Sequence, residues 1–259
     1  MQLNCAFIAD AHLATDERER AGAFADFVRA SAGKFDILVL VGDIFDLWLG
    51  PSFLGFPAYR DVFTAFHERA AQAKRTIFVP GNRDFLFDAS TAQYVGMELA
   101  QDAAVIRMGE RKALATHGDL LCGRDWRYQI YRRLIHMDVL MRFTRWLPRS
   151  LAYGIGALMQ AGSRIEKKLK GSSSMDVDAA TAARFFAGRD PRLPGSARRL
   201  APRGGFDAIV CGHVHTGRII EDSRNGQPRC LVTLPPWTPE KPGIMWNGES
   251  FTEIVNSER

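Results

Sequence analysis

Residues 38–43 read LVLVGD, four aliphatic side chains followed by a glycine and an aspartate. A run this continuous leaves no face for water, so it predicts a strand buried on both sides, as in a parallel sheet covered by helices. Alone, a Gly-Asp pair after such a run marks only a strand end and a turn. The same arrangement recurs in FIADAH at 7–12, FVPGNRD at 78–84, ALATHGD at 113–119 and AIVCGHVH at 208–215. Each places an acid, histidine or asparagine just past an apolar run. Four of the six histidines fall in these clusters, while His67 and His136 lie outside them. His67, in an amphipathic stretch, reads as structural.

The apolar runs predict strands at 3–9, 36–41, 76–79, 112–116 and 207–211. Amphipathic stretches near 16–32 and 58–73 separate the first three, which gives βαβαβ and a parallel start to an α/β fold. Side chains leaving such strand tips into short glycine-bearing loops converge on one crevice. There Asp10, His12, Asp43, Asn82, His117, His213 and His215 supply enough nitrogen and oxygen donors for two divalent ions, with Asp43 shared. Asp10, His12, Asp43 and His215 are expected to hold one ion; Asp43, Asn82, His117 and His213 are expected to hold the other. Two such ions polarise phosphoryl oxygens and activate water near neutral pH, so the expected chemistry is hydrolysis at phosphorus. Asp84 and Asp119 are expected to orient imidazoles from behind. Arg83 cannot donate a proton near neutral pH but can fork onto phosphate oxygens. That favours a substrate whose leaving group is already a good anion, as in a pyrophosphate.

With 259 residues, 46% hydrophobic and 24% charged, the chain has the composition of a soluble globular protein, and one large domain with an insertion fits it. Its cysteines (Cys5, Cys122, Cys211, Cys230) have neither zinc-knuckle nor disulfide-scaffold spacing. Cys5 and Cys211 read as small core residues. The first residues lead directly into a strand and predict no signal peptide, and no run of about 18 apolar residues suggests a spanning helix. A reducing cytoplasm is the expected compartment. The net charge of +5 is uneven: residues 124–170 hold eleven Arg and Lys against Asp125, Asp138 and Glu166, a local +8. Such asymmetry points to an anionic partner.

After the HGD cluster the periodicity becomes helical, with Ile130, Leu134, Met137 and Met141, a break at Pro148, then Leu151, Ile155 and Leu158. MDVDAATAARFF, 175–186, predicts a short helix capped by Ser174 or Asp176. Residues 188–205, rich in Gly, Pro and Arg, read as a loop. Stretches at 217–221, 229–234 and 243–254 read as antiparallel ribbons completing a second sheet. The expected organisation is a core of 1–122 and 188–259 with a helical cap inserted at 123–187. Trp126, Tyr128, Tyr131, Phe143 and Trp146 exceed what a two-helix cap can easily bury. An apolar cleft with a basic rim suits an amphiphilic anion, a lipid phosphate or a membrane surface.

The clusters FIADAHL, VGDIFDLWLG, GNRDFLF, HGDLLC and GHVHT resemble the calcineurin-like metallophosphoesterases, and within them the UDP-2,3-diacylglucosamine diphosphatases of lipid A biosynthesis. The similarity covers roughly residues 5–178 and 207–220. It implies a four-layer α/β/β/α sandwich with an inserted helical cap and two Mn²⁺ ions. The implied reaction is hydrolysis at the α-phosphorus of UDP-2,3-diacylglucosamine, giving UMP and 2,3-diacylglucosamine 1-phosphate. It also implies peripheral association with the cytoplasmic face of the inner membrane. Asp125, Tyr128 and Arg132 match the family pattern after HGDLLC, and SRIEKKLKGSSSMDVD resembles a second segment of it. Ser163, Lys167 and Lys170 then fall where the family contacts substrate, alongside Asn82, Arg83, Asp125 and His213. The catalytic group so implied is Asp43, Asn82, Arg83 and His117. Neither a nucleic acid nor an obligate protein partner is expected. Two alternatives share these residues: a pyrophosphatase or phosphodiesterase for soluble nucleotides, and a protein-binding scaffold of the same fold.

Overall fold

The computed structural model describes residues 3–122, 154, 177–224 and 227–255. Strands β1 (Cys5–Ile8), β2 (Ile37–Val41) and β3 (Arg75–Val79) pair in parallel, with helices α1 (Arg18–Ala32) and α2 (Arg60–Ala71) between them. All five residues of β2 are buried, as the unbroken aliphatic run requires. Leu38 and Leu40 pack with Phe24, Val28, Phe63 and Phe66 of the helices. The alternate residues Ile37, Val39 and Val41 face the other way. Strand period two thus assigns one run to two layers.

The first sheet continues through β4 (Glu98–Leu99) on one side and the β10–β11 hairpin (Ile244–Trp246, Phe251–Glu253) on the other, in the order β11-β10-β1-β2-β3-β4. Between α2 and β4 lies α3 (Ala89–Tyr94), capped by the Asp88 side chain. A second sheet has the order β5-β6-β7-β9-β8, built from Ala103–Met108, Arg111–Thr116, Ala208–Cys211, Gln227–Thr233 and Arg218–Arg224 respectively. Its Ala113, Ala115, Val210 and Val232 meet Val39, Val41 and Val79 of the first sheet. Its opposite face, through Leu114, Ile209 and Cys211, packs on Phe185 of α4 (Ala179–Phe186) and Ala197 of α5 (Gly195–Leu200). The layers are therefore helix, sheet, sheet, helix, as the resemblance implies.

Several expectations need correction. The 243–254 stretch is a hairpin that joins the first sheet, because β10 pairs antiparallel with β1 through Cys5↔Trp246 and Phe7↔Ile244. The 188–205 loop contains α5, which buries Ala197 against the second sheet. Helix α4 is capped by Asp178, whose side chain accepts from Thr181 N at 2.8 Å, rather than by an earlier residue. It falls within the 123–187 segment expected as the cap and packs on the second sheet. The helical reading of 125–159, the break at Pro148 and the candidate caps Ser174 and Asp176 lie outside the described residues. Among the described residues, no helix is long and apolar enough to cross a membrane.

Candidate active site

The five clusters meet where β1, β2, β3, β6 and β7 end. Parallel pairing of β1 with β2 and β2 with β3 brings Asp10, Asp43 and Asn82 to one edge; β6 with β7 does the same for His117 and His213. Seven described non-glycine residues have a left-handed φ, and five of them are predicted ligands: Asp10 (54°), His12 (46°), Asp43 (52°), His213 (68°) and His215 (54°). Each such residue costs about 1 kcal/mol or more, strain that persists only where surrounding bonds fix the chain. Here Asp10 N donates to Gly42 O at 3.0 Å, and His12 N to Asp43 O at 2.9 Å. Two glycines make the approach possible. A Cβ on Gly42 would overlap the His117 ring, and one on Gly81 would overlap the Asp43 carboxylate.

The donor atoms crowd closely. Asp10 Oδ1 lies 3.2 Å from His215 Nε2 and 4.0 Å from His12 Nε2. Asp43 Oδ1 lies 3.7 Å from His117 Nε2, which is 3.0 Å from Asn82 Oδ1. The rings of His117 and His213 are 5.0 Å apart, and those of His12 and His215 are 5.7 Å apart. Among the described residues, Asp10, His12 and His215 form one group of ligand atoms within 4.8 Å of one another, and Asp10, Asp43 and His117 form a second. Asp10 belongs to both groups, and Asp43, to which the sequence reading gives the shared place, belongs to the second.

Surrounding contacts aim these ligands. His117 Nδ1 lies 3.1 Å from Val41 O, which turns Nε2 toward the crevice. Arg83 N donates to Asp43 Oδ1 at 2.8 Å. Asp84, expected to orient an imidazole, instead accepts from four backbone N–H groups: Gly81 at 2.7 Å, Ile44 at 2.8 Å, Phe45 at 3.2 Å and Asp43 at 3.3 Å. It ties the loop carrying Asn82 to the loop carrying Asp43. Asp119 is buried, and its charge raises the affinity of His117 and His213 for protons. Asp46, absent from the expected set, has Oδ1 3.9 Å from His12 Nδ1. Its signal was the acid three places after Asp43.

The electrostatics suit a cation. Burial pushes Asp43 up to about 7, with Asp84 and Asp10 adding to the effect and His117 opposing it. Burial works against a proton on His117, yet Asp43, Asp10 and Asp119 together push it up to about 9. Burial and the neighbouring His117 push His213 down to about 4. Protons are thus held where carboxylates crowd, and divalent ions would relieve the same repulsion. Buried carboxylate, amide and imidazole donors fit borderline divalent metals. Arg83 is half-buried beside Asn82. Asp125, Tyr128, Arg132, Ser163, Lys167 and Lys170 lie outside the described residues.

A four-layer sandwich with acid, amide and imidazole ligands at its strand tips defines a metal-dependent phosphoesterase. The Calcineurin-like phosphoesterase family profile matches residues 3–217, and the chain belongs to that family of hydrolases. Relatives from Salmonella arizonae and Salmonella typhi, both named UDP-2,3-diacylglucosamine hydrolase, are 31% identical over 231 residues. Each alignment covers 89% of this chain and 90% of the relative. Among solved structures, a dimetal phosphatase from Danio rerio aligns over 98% of this chain and 99% of its own, with 14% identity and a TM-score of 0.45.

Proposed function

We propose that this hydrolase cleaves the pyrophosphate bond of UDP-2,3-diacylglucosamine by water attack at the α-phosphorus, releasing UMP and 2,3-diacylglucosamine 1-phosphate. The observation that carries this reading is the alignment of 89% of the chain with relatives named UDP-2,3-diacylglucosamine hydrolase. Two Mn²⁺ ions are the proposed cofactors, held by Asp10, His12, Asp43, Asn82, His117, His213 and His215. When bound, they supply Lewis acidity and water activation at neutral pH.

The chain's own residues do the rest. Asp84 fixes the loops that carry Asp43 and Asn82, and the Val41 carbonyl orients the His117 ring, so that the three donors converge on the proposed metal site. The Arg83 guanidinium grips phosphoryl oxygens through its planar fork and is not the source of a proton for the leaving group. A pyrophosphate needs none, because its leaving group is itself a phosphate monoester. The basic, aromatic-rich 124–170 segment is proposed to hold the acyl chains and to contact the cytoplasmic face of the inner membrane.

The test compares UMP release from UDP-2,3-diacylglucosamine and from UDP-glucose, with and without Mn²⁺. Strong Mn²⁺-dependent preference for the acylated substrate is expected, together with loss of turnover in Asp43→Ala and His117→Ala. A polar replacement at Leu151 or Ile155 should lower kcat/KM for the lipid substrate alone. Equal rates on both substrates would instead assign the enzyme to soluble nucleotides.

A further inference from the structure

The turn that carries Asp10 and His12 is gripped from behind by two side chains, Arg20 in α1 and Tyr59 just before α2. Arg20 Nε donates to Ala11 O at 3.0 Å, and its Nη2 donates to Trp237 O at 2.9 Å. Tyr59, fully buried, donates its hydroxyl to Leu13 O at 2.7 Å. The same Leu13 oxygen also accepts Asp46 N at 3.0 Å. Ala11 separates the two strained ligands, and Leu13 follows the second. The two side chains therefore grip the carbonyls on either side of His12.

Their placement is not what secondary structure alone would select. Arg20 is in the first turn of α1, where the helix dipole disfavours a cation. Its guanidinium lies 5.6 Å from the centre of the fully buried Trp237 ring, which packs edge-on against Phe24 at 5.0 Å. Trp237 N in turn donates to Ala9 O at 3.0 Å. One side chain thus locks the first ligand turn to the loop before β10. Tyr59 is wedged against Phe45, with ring centroids 5.0 Å apart. Burial, with the charges of Asp46, Asp16, Asp84 and Glu17 adding to it, keeps its phenol protonated and able to donate.

We infer that Arg20 and Tyr59 are positioning residues that hold the Asp10–His12 turn in its left-handed conformation, and that they set the affinity of the ion bound by Asp10, His12 and His215. The inference rests on the two-ion reading above. Of the second group, Asp43 and His117 are fixed by other contacts, Asp84 on the loops and Val41 O on His117, and only Asp10 is shared with the gripped turn. The two ions should therefore respond differently.

The experiment titrates Mn²⁺ into wild type, Tyr59→Phe, Arg20→Met and Arg20→Lys without substrate, by calorimetry and by electron paramagnetic resonance. One binding step should weaken about 10- to 100-fold in Tyr59→Phe and Arg20→Met, the range for lost support behind a metal ligand. The other step, whose group shares only Asp10 with that turn, should weaken less, and spectra should show isolated Mn²⁺ where wild type shows a coupled pair. Arg20→Lys should recover part of the loss, since one carbonyl remains within reach. Tyr59→Phe keeps the buried ring and guards against simple unfolding. A lowered Tm with both steps at wild-type affinity, or both weakened alike, overturns the inference. Wild type that binds no Mn²⁺ overturns it together with the two-ion reading. Wild type that binds the pair yet releases no UMP overturns only the proposed substrate.

Discussion

The backbone N–H of His213 donates to Asp10 Oδ2 at 2.9 Å, joining residues 203 positions apart. That bond spends one carboxylate oxygen on the fold and leaves Oδ1 facing His215 and His12. The two oxygens thus have separable roles. Asp10→Asn can still accept from His213 with its amide oxygen but presents NH₂ where a cation would bind. Its unfolding midpoint should stay near wild type while turnover falls by about 10²-fold or more. Asp10→Ala should lose both turnover and roughly 1–3 kcal/mol of stability, because His213 N is left without its acceptor. Denaturant melts and steady-state rates of the two variants separate these effects. Equal stability in both would show that the bond contributes nothing to the fold.

Arg83→His is expected not to be conservative. The Arg83 backbone bond to Asp43 survives the substitution, so the site's geometry is kept. What disappears is the bidentate fork, and a loss of about 10²-fold in kcat follows if it stabilises transition-state charge. An unchanged kcat would assign Arg83 a structural role.

The ligand tips were legible because each combined a strong local signal, an unbroken apolar run, with a polar residue in a glycine turn. What lay beyond local sequence was missed for identifiable reasons. Ala103–Met108 forms β5, but its short AAVIRM pattern gains strand character only by pairing with β6. Pairing of β10 with β1 joins residues about 240 positions apart, and nothing in 243–254 encodes which sheet receives it. Helix α5 is six residues opening on glycine, formed around one buried alanine. The position of Asp84 after Asn82 marks it as part of the site, but its partners are backbone N–H groups, which carry no sequence label. Arg20 and Tyr59 had no local signal at all. Their acceptors are carbonyls, and the Trp237 one is 217 residues distant.

Outside the site, Asp190 supplies a pH-dependent contribution to stability. It is buried, and it accepts from Arg192 Nε and Nη2, both at 2.8 Å, from Arg192 N at 3.0 Å and from Arg184 Nε at 3.2 Å. Burial opposes its charge, but these donors outweigh burial and hold its carboxyl down at about 2, below the ordinary 3.8. A depressed folded-state value means stability that is complete above about pH 4 and is lost as pH falls through about 2. Because Arg184 is half-exposed, the contribution should be on the order of 1–2 kcal/mol. Asp190→Asn should therefore be less stable than wild type at pH 7, with the two unfolding curves converging toward pH 2. A constant offset across that range would contradict the ion-pair origin.

The last prediction concerns how protons and metal compete for the crevice. Ligands must lose their protons to bind a cation, so groups whose folded values are raised weaken binding at low pH. Asp43, pushed up to about 7 chiefly by burial, and His117, pushed up to about 9 by Asp43, Asp10 and Asp119 against burial, are the two concerned. At pH 6 both hold protons in the metal-free protein, and an entering ion must expel them. At pH 8 only His117 does. The apparent Mn²⁺ affinity of the Asp43–His117 group should accordingly rise between pH 6 and 8, by about tenfold per pH unit for each proton displaced. Calorimetry in buffers of different ionisation enthalpy measures those protons directly, and more should be released at pH 6.5 than at pH 8. Proton release that is absent, or that stays the same between pH 6.5 and pH 8, would remove the electrostatic basis for this competition.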